Sequence, residues 1–174
     1  MKRFFLLLLL LSPVFFNLKA ARVDDVMVHS ASMNKDLPVR VIVPENASLS
    51  KPCNVIYLLH GYGGNSKSWL ELKPELKNYS DNENIIFVCP DGKNSWYWDS
   101  PKDSTYRFET YVSKEIVSWI DNKYPTIRDR SARAITGLSM GGHGALWLSF
   151  RHKDVFGAAG STSGGVDIRP FPDN

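Results

Sequence analysis

The sequence has no surplus of charge once its first twenty residues are set aside. The chain contains 21 basic and 18 acidic residues. Three of the basic residues, Lys2, Arg3 and Lys19, and no acidic ones lie in the first twenty positions, which leaves 18 of each sign. Proteins that bind nucleic acid or an anionic membrane surface usually carry a basic field. We therefore expect neither nucleic acid nor membrane as a partner.

Metal-binding and phosphate-binding patterns are also missing from the sequence. No group of His, Cys, Asp and Glu has the spacing of metal ligands, and no glycine-rich phosphate loop or internal repeat is present. The sequence accordingly predicts no metal and no cofactor. The composition, 43% hydrophobic and 22% charged over 174 residues, is ordinary for one globular domain.

Cysteine is scarce, and its placement argues against a disulfide. Cys53 opens one predicted buried strand and Cys89 closes the next. If these strands are parallel neighbours, the two thiols lie at opposite ends, about 15–20 Å apart at about 3.3 Å per residue. A disulfide requires Cα atoms within about 7 Å of each other. We expect both cysteines to be free and buried.

The first twenty residues are typical of a secretory signal peptide. Lys2 and Arg3 precede an apolar run from Phe4 to Phe16, and Ala20 ends a plausible cleavage region. The run is shorter than the about 20 residues that a membrane span requires. We therefore expect residues 1–20 to be removed on export to the periplasm or the extracellular medium. Residues 21–174 would then form the folded domain.

The remaining chain alternates between strand and helix patterns. Two strands that we expect to be antiparallel come first, and buried apolar runs then alternate with segments of helical spacing. This order predicts an α/β fold whose mostly parallel sheet is covered by helices on both faces, with ligands at the carboxyl ends of the strands. The predicted strands are 23–32, 37–43, 54–59, 84–89, 132–136 and 155–161, and the predicted helices are 68–78, 106–124 and 142–151.

One stretch organises the rest of the chain. Gly137-Leu138-Ser139-Met140-Gly141 lies between a predicted strand and a predicted helix, which is the context of a G-x-S-x-G nucleophile elbow. The sharp bend lifts the Ser139 hydroxyl clear of both elements, and Gly137 and Gly141 avoid a Cβ where the turn presses on neighbouring strands. The helix that follows directs its free N–H groups towards the place where oxyanion charge would develop.

Three motifs together resemble the Putative esterase family of α/β hydrolases. They are His60-Gly61-Tyr62-Gly63-Gly64, Asn94-Ser95-Trp96-Tyr97 and the elbow extended to Ala145, and the likeness covers about residues 24–168. The family includes tributyrin and acetyl esterases, S-formylglutathione hydrolases, feruloyl esterases and mycolyltransferases. The resemblance implies that Ser139 is the catalytic nucleophile and that the backbone N–H groups of Tyr62 and Met140 form the oxyanion hole.

The sequence departs from this family after the nucleophile. The family places an acid and a histidine well beyond the serine, in the order Ser, Asp or Glu, His. Here the last histidine, His152, lies only thirteen positions past Ser139. We expect the chain to be the N-terminal part of such a domain, with an incomplete sheet of six strands, an exposed edge that favours aggregation, and almost no activity.

None of the four histidines is expected to act as the base. His29 is predicted to be solvated in the first strand, and His60 to brace the loop that follows its own strand. His143 should point along its helix rather than back to the serine. His152 should end that helix, where positive charge suits the dipole. Asp167 has no histidine to orient, so it has no triad role.

Aromatic residues after the fourth predicted strand suggest where substrate could bind. Trp96 and Tyr97, followed by Trp98, are candidates for a substrate pocket. Glu109 and Asp91 are interpreted as solvated or structural.

Three functions remain open from the sequence. The first is a serine carboxylic-ester hydrolase that acts on short acyl esters, in one version carbohydrate-linked, through an acyl-enzyme on Ser139. The second is a non-catalytic carbohydrate-binding relative that kept the fold and lost the base. The third is an acyltransferase that uses the same residues and a sugar in place of water.

Overall fold

The protein forms one six-stranded mixed sheet with helices on both faces. The structure is a computed structural model that describes residues 20–167. The predicted signal peptide lies almost entirely outside these residues. The strand order is β1-β2-β4-β3-β5-β6. The strands are β1 (Arg22–Ser30), β2 (Lys35–Val43), β3 (Asn54–Leu59), β4 (Ile85–Pro90), β5 (Arg133–Gly137) and β6 (Ala158–Ala159).

The first two strands form an antiparallel hairpin, and the later strands are parallel. β2 also pairs with β4 in the antiparallel sense, whereas β3 pairs in parallel with β4 and β5, and β5 pairs in parallel with β6. The continuous apolar runs in β3 and β4 arise because both faces of these central strands are covered. The mostly parallel α/β sheet predicted from the sequence is therefore confirmed.

Helices cover the two faces unequally. The smaller layer is α1 (Ser68–Leu72) and α2 (Leu76–Glu83), and the larger layer holds α3 (Phe108–Thr110), α4 (Val117–Lys123) and α5 (Met140–Arg151). Alternate residues of β2 point to opposite faces of the sheet. Val41 packs in the larger core and Ile42 packs in the smaller one. Because β3 pairs in parallel with both β4 and β5, the carboxyl ends of these three strands lie at one edge of the sheet.

Proline and apolar spacing explain two departures from regular helices. The predicted helix over 68–78 is split in two, because Pro74 falls between α1 and α2. The predicted helix over 106–124 forms as α3 and α4 joined by π-helical turns at Tyr111–Ile116. Phe108, Val112, Ile116 and Ile120 recur every four residues and are all buried. A regular α-helix would rotate that row off the core, and the wider i→i+5 turns keep it facing inward.

Two further expectations can be compared with the structure. Cys53 and Cys89 are free and buried, as predicted. The strand predicted at 155–161 is reduced to Ala158–Ala159, and both of these residues are exposed. Across residues 20–167, no helix is long and apolar enough to cross a membrane.

Candidate active site

Ser139 lies at the bend between β5 and α5. Its backbone has φ 54° and ψ −118°, a conformation that L-residues rarely adopt, and its side chain is exposed. Two hydrogen bonds from the segment after β6 hold the bend. The Ser139 N–H donates to the Thr162 carbonyl at 2.8 Å, and the Thr162 N–H donates to the Gly137 carbonyl at 2.9 Å. The strained conformation is thus fixed by pairing on both sides of the serine.

The two elbow glycines are required by close backbone contacts. A Cβ on Gly137 would overlap the backbone of Gly141, and a Cβ on Gly141 would overlap the Leu59 carbonyl at the end of β3. Neither obstacle is a movable side chain. The elbow therefore packs directly against the neighbouring strand, which explains the G-x-S-x-G spacing in physical terms.

The predicted oxyanion residues lie on the two elements that flank the serine. Met140 is the first residue of α5, and the first N–H groups of a helix have no acceptor within it. Tyr62 follows Gly61, and a Cβ built on Gly61 would lie 3.5 Å from the Cβ of Ser139. The loop carrying Tyr62 therefore runs beside the nucleophile. The roles of Ser139, Tyr62 and Met140 remain predictions that this geometry accommodates.

His60 has the bracing position expected from the sequence. It is buried, with 2% of its surface exposed. Its Nε2 accepts a hydrogen bond of 2.9 Å from the Gly92 N–H, and its Nδ1 lies 2.7 Å from the Gly61 carbonyl oxygen and donates to it. Both ring nitrogens are therefore occupied in positioning the loops after β3 and β4.

Asp91 belongs to the same brace, and its environment keeps it ionised. Its Oδ1 lies 3.6 Å from His60 Nε2, and its Oδ2 accepts a bond of 2.7 Å from Lys93 Nζ. Burial alone would raise the pKa of the Asp91 carboxyl, but the hydrogen bonds from the Lys93 ammonium and backbone N–H outweigh it and lower the pKa to about 2.

His143 also has a structural position, on the buried side of α5. Its Nε2 accepts a bond of 3.0 Å from Trp98 Nε1, and its Nδ1 donates to the Gly165 carbonyl at 2.6 Å. These partners assign the donor role to Nδ1 and the acceptor role to Nε2. The side chain does not turn back to Ser139, as expected from its place on the helix.

Trp96 and Tyr97 occupy different environments, and the sequence prediction for Tyr97 is wrong. Tyr97 is fully buried, its ring lies between Gly92 and Gly144, and its hydroxyl donates to the His60 carbonyl at 3.1 Å. It packs under the site and cannot contact substrate. Gly144 lies inside a helix, where glycine is unfavourable. It is therefore the sequence signal that another group, here the Tyr97 ring, occupies the place of its missing side chain.

Trp96 lies beside an open depression in the loop after β4. The depression has a volume of about 230 Å³, and Trp96, Trp98, Asn94, Ser100 and Tyr106 are among the residues that line it. The candidate pocket residue Trp96 is therefore at a surface that a ligand could reach, whereas Tyr97 is not.

Sequence reasoning missed a cluster that holds the far end of α5. Glu109 is buried, and its carboxylate accepts bonds from Trp147 Nε1 at 2.9 Å and Arg151 Nε at 2.8 Å. His152 Nε2 lies 2.9 Å from the same carboxylate. Burial would raise the pKa of Glu109, but the bonds from Arg151, Trp147 and His152 outweigh it and lower the pKa. No local pattern reveals these partners, which lie 38 to 43 positions away.

No histidine among the described residues is positioned against Ser139. Within residues 20–167, no hydrogen bond joins the Ser139 hydroxyl to any of the four histidines. His29 is exposed and lies 2.8 Å from Asp36, and the other three are engaged as described above. In the same part of the chain no cluster of three or more His, Cys, Asp or Glu side chains could hold a metal ion.

The protein combines a mostly parallel sheet with a strained serine at the end of β5 and a helix that begins directly after that serine. Together these features define an α/β hydrolase. The chain belongs to the Putative esterase family, whose model matches residues 30–172. An acetyl esterase of Caldicellulosiruptor saccharolyticus is 37% identical over 107 residues, which is 62% of this chain and 40% of that protein. The MPT51 antigen of Mycobacterium leprae is 29% identical over 152 residues, 86% of this chain and 48% of that one.

Solved structures show the same fold. The fluorophosphonate-binding serine hydrolase FphF of Staphylococcus aureus has a TM-score of 0.78 at 21% identity, covering 87% of this chain and 60% of its own. A ferulic acid esterase has a TM-score of 0.72 at 29% identity, covering 83% of this chain and 60% of its own. The chain thus spans about two fifths to three fifths of the length of these proteins.

Proposed function

We propose that this chain is the nucleophile-bearing, N-terminal part of an exported serine carboxylic-ester hydrolase. The observation that carries the proposal is the exposed Ser139 at φ 54°, held between β5 and the N-terminus of α5. Family membership and the names of the relatives, an acetyl esterase and a ferulic acid esterase, support ester hydrolysis. Short acyl groups are the substrate class that we infer, and the pattern of residues 1–20 supports export.

The proposed chemistry is acyl transfer in two steps. The Ser139 oxygen attacks the ester carbonyl carbon, and its proton passes to a base while the carbonyl oxygen becomes an oxyanion. The N–H groups of Tyr62 and Met140 would stabilise that charge. The tetrahedral intermediate then expels the alcohol, which takes up the proton, and leaves an acyl-enzyme on Ser139. Water attacks this ester in turn and releases the carboxylic acid.

The base and its orienting acid would come from polypeptide outside the described residues. The partial coverage of the relatives supports this inference. Without a base, the serine stays protonated and is a weak nucleophile. Loss of triad members still leaves roughly 10³–10⁴-fold catalysis over water in a well-studied serine protease, from the oxyanion hole and binding. We therefore expect slow but measurable reactivity of residues 21–174 alone.

Covalent labelling and hydrolysis together test the proposal. A fluorophosphonate probe should label Ser139 in a chain extended to its natural end, and the same chain should hydrolyse p-nitrophenyl acetate. Ser139→Ala should abolish both, while Ser118→Ala, which removes an exposed serine of α4, should change neither. Hydrolysis by Ser139→Ala at the parent rate would refute the assignment. Product analysis with an added sugar acceptor would separate hydrolysis from acyl transfer.

A further inference from the structure

The loop that carries the proposed donor Tyr62 lies beside the nucleophile, and its outer half is weakly packed. We call residues 61–64, with the sequence Gly-Tyr-Gly-Gly, the oxyanion loop. A Cβ built on Gly61 would lie 3.5 Å from the Cβ of Ser139. Tyr62 is 54% exposed, and a Cβ built on Gly63, which has φ +78°, would meet nothing within 4 Å. Because glycine leaves the backbone free and packing does not restrain it here, hydrogen bonds have to fix the Tyr62 N–H.

Side chains hold both peptide planes that flank Tyr62. A peptide unit is planar, so an anchored carbonyl also sets the direction of the N–H across the bond. The Gly61 carbonyl accepts a bond of 2.7 Å from His60 Nδ1, which orients the peptide that contains the Tyr62 N–H. The Gly63 N–H donates to Asn94 Oδ1 at 2.8 Å, which orients the next peptide. With both planes anchored, little freedom remains in the φ and ψ of Tyr62.

Asn94 makes its contact from an exposed position on a different loop. It lies after β4, 31 positions from Gly63 in the sequence. Because Asn94 is exposed, its side chain adds little to the hydrophobic core. The contact therefore matters for the geometry of the oxyanion loop more than for the stability of the whole fold.

The segment that carries Asn94 has a strained backbone. Three of its residues other than glycine have φ between 50° and 62°, in the left-handed region: Lys93, Trp96 and Tyr97. Ser95 Oγ holds this conformation, because it donates to the Gly92 carbonyl at 2.6 Å and accepts from the Tyr97 N–H at 3.0 Å. Such strain persists only where the surrounding structure imposes it, and it is concentrated at functional sites. Here the strained segment presents Asn94 to the oxyanion loop.

We propose that Asn94 is a positioning residue of the oxyanion hole, whose amide oxygen holds the Gly63 N–H and thereby directs the Tyr62 N–H at the oxyanion. This inference rests on the proposed function, since it concerns the same transition state. Asn94 acts through the loop and does not contact the substrate. Its loss would misalign one donor without removing it. Removal of a whole oxyanion donor lowers kcat by about 10²–10³-fold, so misalignment should lower kcat by less, about tenfold.

Kinetics of matched variants test this role in a chain extended to its natural end. Asn94→Ala should lower kcat for p-nitrophenyl acetate about tenfold and change KM by less than about twofold, because the lost alignment acts in the transition state. Asn94→Asp keeps an acceptor oxygen for the Gly63 N–H, so its kcat should stay within about threefold of the parent value. Asn122→Ala removes an exposed amide from α4 and should change neither constant. Equal kcat values for Asn94→Ala and the parent would overturn the proposal.

A thionoester distinguishes misalignment from a loss of folded enzyme. Its sulfur accepts hydrogen bonds weakly, so an intact oxyanion hole should prefer p-nitrophenyl acetate to p-nitrophenyl thionoacetate. Asn94→Ala should reduce this preference in kcat/KM about fivefold, because the oxygen ester loses more donor stabilisation than the sulfur ester. Partial unfolding would lower both rates by the same factor. An unchanged preference in Asn94→Ala would therefore assign the residue a purely structural role and overturn the proposal.

Amide hydrogen exchange tests the contact without turnover and separates the two proposals. Exchange of the Gly63 N–H should be about fivefold faster in Asn94→Ala than in the parent, the equivalent of one hydrogen bond. Fluorophosphonate labelling of Ser139 in the parent, with no faster exchange in the variant, would refute the positioning role and leave the hydrolase intact. A parent that is neither labelled nor active would refute the proposed function and the positioning role with it.

Discussion

Trp98 donates its indole N–H to the Nε2 of His143 at 3.0 Å, which ties the aromatic loop after β4 to the helix that begins at the nucleophile. The other ring nitrogen of His143 donates to Gly165, in the segment after β6. Three stretches of chain that are distant in sequence therefore meet on one buried imidazole. This histidine has the place of a structural connector, and the base must be sought elsewhere.

Replacing His143 should destabilise the fold more than replacing its partner Trp98. His143→Phe leaves both the Trp98 N–H and the Gly165 carbonyl without partners, so we expect a loss of about 2–3 kcal/mol in the free energy of unfolding. Trp98→Phe removes the donor itself, so we expect a smaller loss in the free energy of unfolding than for His143→Phe. Urea unfolding of the two single variants and the double variant measures the coupling. A coupling energy of zero would show that the bond does not contribute.

Gly141 should tolerate no side chain, because its neighbour is backbone. Gly141→Ala would push against the Leu59 carbonyl, and overpacking of this kind costs about 1–3 kcal/mol or more. Gly63→Ala is the matched control. Gly63 has φ +78° with nothing within 4 Å, so the variant should lose only the roughly 1 kcal/mol of backbone strain. Chemical denaturation compares the two, and equal losses would contradict the steric explanation.

Glu109 should stabilise the end of α5 through its charge. Glu109→Gln keeps the shape but removes the charge that Arg151 and His152 face, so we expect a loss of about 2 kcal/mol in unfolding free energy. Glu83→Gln, at an exposed position on α2, should change stability by less than about 0.5 kcal/mol. If the two variants unfold at the same urea concentration, the carboxylate is not a structural anchor.

Asp91 should make the fold less stable in acid. Its pKa of about 2 in the folded protein is below the unfolded value, so its contribution is present above about pH 4. That contribution, about 2 kcal/mol, is lost as the pH falls from about 4 towards 2. Unfolding free energies measured from pH 7 to pH 2 should therefore fall more steeply for the parent than for Asp91→Asn. Parallel curves would show that Asp91 is not the group responsible.

The sequence was most informative where the decisive interactions are local. The strand at 54–59 was predicted to the residue, and the bend at Ser139 followed from its two glycines and the elements on either side. The structure of Tyr97 was not predictable in this way. Its burial depends on Gly92 and Gly144, and nothing near Tyr97 in the chain shows that these glycines meet across it.

The residues alone determined the order of strands and helices and the elbow with Ser139. These follow from apolar periodicity and from turn chemistry, which act over a few neighbouring positions. Only the tertiary structure decided that Tyr97 packs beneath the site, that His143 joins three segments and that Glu109 anchors α5. Such roles depend on partners tens of positions away, which meet only when the sheet has assembled.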